Sequence, residues 1–256
     1  MLHIIQGRMH SIIEAAMKKF IFSAILVSLI SCGRQPDTVI VVSANAEWKA
    51  LSSILKPSEK TCHNSPYGQW FNWTINDKKV VFFHGGWGKI DAAGSAQYVI
   101  DKFKPELIIN IGTAGGFPGR VKKGDVLLVN KTITYDIYEK MGDSKEAVDY
   151  YSTELNYPKI NINHAIKISP IVSADQDLFP EKIEMLSKKY GASAGDWESS
   201  AIAHVAKKNN VKCYIIRGIT DVVYPTGSAT YGDYRTFERE TEKVMFKLVK
   251  LLEKVL

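Results

Sequence analysis

The chain has 256 residues, 45% of them hydrophobic, which is enough for one α/β domain with a full core. Three cysteines give no disulfide framework. A formal charge of +6 is mild, and no basic stripe interleaved with aromatics accompanies it, which argues against a nucleic-acid partner.

Residues 1–32 read as an export leader. Lys18 and Lys19 form a basic start, and Phe20 to Ile30 an apolar run that is short for a membrane span. Met17-Lys-Lys-Phe20 opens a standard leader, so residues 1–16 read as upstream translation. The leader ends in Leu29-Ile-Ser-Cys32, which resembles the lipobox of bacterial lipoproteins. That resemblance implies a diacylated Cys32, export, and a lipid-anchored chain in the cell envelope; the alternative is an uncleaved anchor helix. Removing residues 1–31 takes away Arg8, Lys18 and Lys19 against Glu14. The 33 bases then become 30 and the 27 acids 26, a charge of +4. Residues 33–37 read as a polar tether, and residues 38–256 as the single folded domain.

The body alternates strands and helices. Thr38–Val42 is an apolar run that predicts a buried strand. A turn at Ser43-Ala-Asn-Ala46 leads to a helix over Glu47–Leu55 with Trp48, Leu51 and Leu55 on one face. Gln69–Ile75 and Lys79–His84 alternate and are joined by Asn76-Asp77, a hairpin signal. Gly85-Gly-Trp-Gly88 reads as a tight loop before a helix over Lys89–Phe103. Leu107–Ile111 predicts a central strand closed by a Gly112-Thr-Ala-Gly-Gly116 loop, and Asp125–Asn130 another strand. From Tyr135 to Asn163 the chain is polar, Tyr-rich and weakly periodic, and reads as a long loop or insertion. Strands at Ile168–Ser173 and Cys213–Ile219 and helices at Pro180–Lys189 and Asp233–Leu256 follow. The last helix turns Val244, Leu248, Leu251, Leu252 and Val255 inward. The order predicts a three-layer α/β/α domain with a central mixed sheet covered on both sides.

Candidate chemistry sits where strands end. Ala194-Gly-Asp-Trp-Glu198 reads as a strand with Asp196 and Glu198 on one face and Trp197 opposite. It runs into a helix buried through Ala201, Ile202 and Val205. Buried carboxylates need partners or a ligand's hydroxyls; the plainer alternative is that Glu198 is a first-turn helix charge. Asp221, ending Arg217-Gly-Ile-Thr-Asp221, has the alternative of a turn former. The Gly85–Gly88 spacing is not a dinucleotide fingerprint, and the Gly112–Gly116 segment has no Lys and is not a P-loop. No His/Cys set has zinc spacing, so neither metal nor cofactor is expected. Ser173 lacks a nucleophile-elbow setting. Cys62, Cys213, His84 and His204 read as structural.

Four segments together resemble the nucleoside phosphorylase/nucleosidase superfamily, and within it the 5′-methylthioadenosine/S-adenosylhomocysteine nucleosidases. They are Val41-Val-Ser-Ala-Asn-Ala-Glu-Trp48, Gly86-Trp-Gly-Lys-Ile90, Asn110-Ile-Gly-Thr-Ala-Gly-Gly116, and the pair Asp196–Val205 with Arg217–Val222. The resemblance implies a phosphorylase/hydrolase-like fold and a purine nucleoside as substrate. It implies that Asp221 donates to purine N7, that Glu198 holds the ribose hydroxyls and stabilises a cationic sugar, and that Glu47 orients and deprotonates the attacking water. Thr113, Gly115, Trp197, Asp177, Leu178 and Phe179 would line the substrate pocket, and a homodimer is expected. The family's phosphorylases carry an Arg before the glycine loop and another after the first strand. Here Asn110 and Ser43-Ala-Asn-Ala46 stand there, so water is the expected nucleophile.

Two positions depart from the resemblance. Asp177 stands where the family has a base-stacking aromatic, with Phe179 as a shifted substitute, and Trp197 stands where it has a Met under the ribose. The Tyr-rich stretch (Tyr135, Tyr138, Tyr150, Tyr151) is a candidate wall for a thioether group. Rival readings are a nucleosidase for another purine nucleoside and a non-catalytic nucleoside-binding lipoprotein.

Overall fold

Residues 38–42 form strand β1 (Thr38–Val42), buried along its whole length. Its side chains alternate between two cores. Val39 and Val41 join Val81, Phe83, Ile108 and Ile215, while Ile40 and Val42 join Phe82, Ile109, Ile216 and Leu248. A strand with apolar residues on both faces needs cover on both, and that requirement produces three layers.

The computed structural model describes residues 36–157 and 166–256. The expected leader, Cys32 and the tether up to Gln35 lie outside the described residues, as does the end of the Tyr-rich stretch. Pro36–Leu256 is one unit, and among its described residues no helix is long and apolar enough to cross a membrane.

After β1 come α1 (Asn45–Leu55), β2 (His63–Asn64), β3 (Gln69–Ile75), β4 (Lys78–His84), α2 (Gly88–Phe103) and β5 (Leu107–Gly116). Then follow β6 (Val126–Thr134), α3 (Ser144–Tyr151), β7 (Thr153–Glu154), β8 (Ile166–Ser173) and α4 (Ile183–Tyr190). The chain ends with β9 (Ala194–Asp196), α5 (Ser199–Lys208), β10 (Lys212–Val222) and α6 (Tyr234–Val255). Helices α2 and α5 cover one face through Ala92, Ala96, Val99, Ile202 and Ala206. Helices α1 and α6 cover the other through Trp48, Leu51, Met245 and Leu252.

The sheet runs β10-β6-β8-β9-β5-β1-β4-β3-β2 and mixes parallel with antiparallel pairs. β10 also pairs in parallel with β5, so β5, β10, β6, β8 and β9 close on themselves. This curl was not expected from the sequence, and it brings the ends of β5, β9 and β10 to one place. The β3–β4 hairpin turns at Asn76 and Asp77, both with positive φ (47° and 62°), as the two-residue turn between twisted strands requires.

Four expectations change. Gly112–Gly116 is not a loop but the second half of β5, paired with β10 and β9. Asp196 and Glu198 do not share a strand, because β9 ends at Asp196 and Glu198 is the N-cap of α5. The inner stripe of α5 is Ile202, Ala203 and Ala206, with Ala201 and Val205 half-buried beside it. The stripe is rotated because Ser199 and Ser200 also point inward, where Asp196, Ser173 and Thr134 bond their hydroxyl and amide groups. Finally, the Tyr-rich stretch contains α3 and β7. Helix α3 escapes a periodicity reading because Val148 is its one buried residue.

Candidate active site

A cavity of about 820 Å³ opens where β5, β9, β10 and the start of α1 meet. Its lining includes Glu47, Asp177, Asp196, Glu198, Asp221 and Asp233, and no Arg or Lys among the described residues. Each buried acid has a structural reason for its position.

Glu47 lies in the first turn of α1 and reaches back to the N-cap, where Oε2 accepts the Ala44 N–H (3.2 Å). Its Oε1 accepts the Thr113 N–H (2.5 Å) and the Thr113 hydroxyl (2.8 Å). The carboxylate passes over Gly112: a Cβ there would stand 2.7 Å from Oε1. The glycine read as a turn is thus a gap in β5 that admits an acid.

Glu198, 6% exposed, accepts the Gly88 N–H at 3.0 Å. Gly88 has φ +80°, a conformation open to glycine, which aims that N–H across the cavity. The loop before it is fastened by Lys89, whose N–H donates to Asp175 (2.7 Å) and whose ammonium pairs with Asp136.

Beneath both acids lies Arg217, 1% exposed. Its Nε donates to Asp196 Oδ2 (2.7 Å) and its Nη2 to Asn110 Oδ1 (2.5 Å). Asn110 donates in turn to the Val41 carbonyl (2.9 Å). Asp196 also accepts from Ser173 (2.6 Å) and from the Ser199 hydroxyl. A charge this deep persists only when paired and hydrogen-bonded. The guanidinium is therefore committed to the protein and is not a lining group.

Two of the three carboxyl groups around the guanidinium, those of Glu47 and Glu198, are raised. Burial pushes Glu198 up to about 8, with Glu47 and Asp196 adding to the effect and the Gly88 N–H and Arg217 opposing it. Burial also raises Glu47, against Arg217 and the Thr113 and Ala44 donors. Arg217 is raised in spite of its burial, because Asp196, Glu47 and Glu198 all favour its charge. Glu47 is among the charges that raise Glu198, so the two glutamates titrate as a pair.

Asp221 lies near the end of β10. It follows a register shift in β10 that places it opposite Gly115. Its Oδ1 accepts from Thr220 (2.7 Å) and its Oδ2 from Ser228. Leu178 fills the space that Gly115 and Gly195 leave open: a Cβ on Gly195 would stand 2.5 Å from Leu178 Cδ2.

Of the residues expected from the sequence, the cavity brings together Glu47, Glu198, Asp221, Thr113, Gly115, Trp197, Asp177 and Leu178. It does not include Phe179, which is 41% exposed and lies under the Lys182 ammonium at 4.7 Å. One residue after the buried Leu178, its side chain points away. None of Tyr135, Tyr138, Tyr150 and Tyr151 lines the cavity either; Tyr150 and Tyr151 pack on His204. The aromatic wall is instead Trp87, Trp197, Tyr231, Tyr234 and Phe237. Trp87 and Trp197 stack at 5.1 Å between ring centroids, and the Tyr231 hydroxyl donates to the Leu178 carbonyl (2.5 Å). Gly86-Trp-Gly88 was a visible signal for Trp87. Tyr231 and the Arg217–Asp196 pair carried none, since their partners lie 53 and 21 residues away.

A cavity lined by acids and aromatic rings, with no Arg or Lys among the described residues, suits a neutral ligand that has hydroxyl and N–H donors and gains positive charge. It disfavours a bound phosphate dianion.

Comparison with known proteins agrees in kind. The Phosphorylase superfamily matches residues 37–255. The 5′-methylthioadenosine/S-adenosylhomocysteine nucleosidase of Maridesulfovibrio salexigens is 29% identical over 232 residues, covering 83% of this chain and 96% of that protein. The enzyme of the same name from Thermotoga maritima is 31% identical over 169 residues, 64% of this chain and 75% of its own. Among solved structures, the Neisseria meningitidis nucleosidase in complex with methylthio-immucillin-A superposes with a TM-score of 0.68. Its identity is 19%, and the match covers 86% of this chain and 98% of that one. Native futalosine hydrolase of Helicobacter pylori gives 0.69 at 18% identity, over 85% and 98% of the two chains.

Proposed function

The chain belongs to the phosphorylase superfamily, and from that premise we propose that it is a purine nucleosidase. It hydrolyses the N-glycosidic bond of 5′-methylthioadenosine or S-adenosylhomocysteine and releases adenine. The observation that carries the hydrolytic reading is the cavity's lining, which has six acids and no Arg or Lys among the described residues.

Breaking the bond leaves positive charge on the sugar and negative charge on the base. Asp221 donates a proton to purine N7, so the base departs neutral. Glu198 holds the ribose hydroxyls. A carboxyl poised near 8 shifts toward its ionised form when positive charge develops beside it, so its stabilisation grows along the reaction coordinate. Glu47, whose proton affinity burial raises, is the base that takes a proton from the attacking water. The Thr113 donors hold its orientation. Thr113 and Gly115 floor the site, while Trp197, Asp177 and Leu178 border it.

Incubating the purified chain with a purine-nucleoside panel, with and without phosphate, tests the reading. Free base should appear equally in both, fastest from the thioether nucleosides. Release that requires phosphate would overturn hydrolysis, and tight binding without release would leave a nucleoside-binding protein.

The reading extends to an exported lipoprotein, supported by Leu29-Ile-Ser-Cys32 after a basic start and an apolar run. A fatty-acid probe should label the wild type and not Cys32→Ala. It extends also to a homodimer, supported by exposed Trp87, Ile90, Tyr138 and Met141, which burial against a second copy would cover. Sedimentation at a single-chain mass would refute the dimer.

A further inference from the structure

The segment after β10 turns back on itself. Tyr224 and Gly227 bridge through two backbone hydrogen bonds, with Gly227 at φ +105°. The turn returns Ser228 to the end of the strand it has just left. There the Ser228 hydroxyl meets Asp221 Oδ2.

The direction of that contact can be worked out. Ser228 Oγ accepts the Thr230 N–H (3.3 Å) and lies 3.2 Å from the Thr230 hydroxyl. A hydroxyl has one proton to give, and Asp221 is its acceptor. The other oxygen is held differently. Thr220 Oγ1 bonds Oδ1 at 2.7 Å and has the Ala114 carbonyl as an alternative acceptor at 3.5 Å. Oδ2 is therefore fixed as an acceptor, while the partner of Oδ1 can turn away.

We infer that Ser228 is a positioning residue for proton donation by Asp221: it keeps the transferable proton on Oδ1 and stabilises the carboxylate left when that proton goes to the purine. The inference rests on the nucleosidase reading above. In the step, the Asp221 Oδ1–H bond breaks as the proton joins N7. The glycosidic electron pair goes to the base, and the new carboxylate accepts from Ser228 and Thr220. The same segment lays Tyr231 against Leu178, so one backbone turn both borders the base end and orients its acid. The other titratable groups around Asp221 are Tyr231 and Asp233 on that segment, Asp177 before Leu178, and Tyr135 after β6. Glu47 and Glu198, which face Arg217, line the same cavity, and Tyr231 and Tyr135 feel the charges of Asp177 and, for Tyr231, Asp221. None of them donates a hydrogen bond to Asp221 among the described residues.

The test is the pH profile of kcat and kcat/KM for Ser228→Ala, with 5′-methylthioadenosine as substrate. Losing a donor to the ionised form weakens the acid. The expected result is a fall in kcat of about 10- to 100-fold, with KM changed by less than about 3-fold. The alkaline limb should move up by roughly one pH unit. Ser228→Thr, which keeps the hydroxyl, should restore both. A fall in kcat with the limb unmoved means a merely structural role and overturns the inference. So does an unchanged kcat, an effect confined to KM, or a wild-type profile with no alkaline limb. If the wild type releases no base from any nucleoside, the nucleosidase reading fails first, and the two failures are thereby distinguished.

Discussion

The two ends of the cavity hold their acids by opposite means. Around Arg217 the carboxyl groups of Glu47, Asp196 and Glu198 are crowded and deeply buried, and burial raises the two glutamates against the single guanidinium. Around Asp221 two neutral hydroxyls hold the group, one from β10 and one from a turn. The first arrangement raises proton affinity through burial and like charge. The second lets a carboxylate form by supplying donors to it. A water-activating base needs proton affinity, which burial supplies to Glu47; a proton donor needs partners for the carboxylate it leaves behind, which the Thr220 and Ser228 hydroxyls supply.

The largest expected effects come from removing one acid at each end. Asp221→Asn and Glu47→Gln should each lower kcat by about 10²- to 10⁴-fold. If acid and base act as one unit, the double variant should be little worse than either single one, and steady-state kinetics would show it. Next in size is Arg217→Met, which leaves Asp196 buried without its partner. It should destabilise the fold by about 3–5 kcal/mol, read by denaturant unfolding; an unchanged midpoint would mean that the guanidinium is not the keystone of that end. A smaller effect is the pH dependence of stability. Glu198 is raised from 4.5 to about 8, so the folded state holds its proton more tightly than the unfolded one. Its contribution is fully present below 4.5 and is lost as pH rises to about 8. Glu198→Gln should flatten that slope in melting curves between those limits. Smallest of all, Phe179→Ala should change kcat/KM by less than about 2-fold, as for an exposed side chain outside the cavity.

These contrasts also mark what a linear reading can reach. Elements whose cause is local were legible: the Asn76-Asp77 hairpin, the continuous apolar run of β1, the last helix with Val244, Leu248 and Leu252 inward. The three acids were legible because each lies inside a short motif. The Gly112–Gly116 segment was misread because glycine usually marks a turn; here it marks room in a strand for Glu47 and Leu178. Phe179 was the nearest aromatic in sequence, but the aromatic beside Leu178 in space is Tyr231, 53 residues away. The ring closure of the sheet and the sharing of Arg217 depend on tertiary meetings that no period or spacing encodes.

The gaps in β5 bear on how such a pocket can diversify. Where a strand has surrendered its own side chains so that Glu47 and Leu178 can cross it, any larger residue at Gly112 or Gly115 collides with the group it serves. The floor is thereby closed to innovation. A descendant of this chain that acquires a taste for a different nucleoside must change the rim, at Trp87, Asp177, Trp197 or the turn bearing Tyr231, and leave the glycines alone.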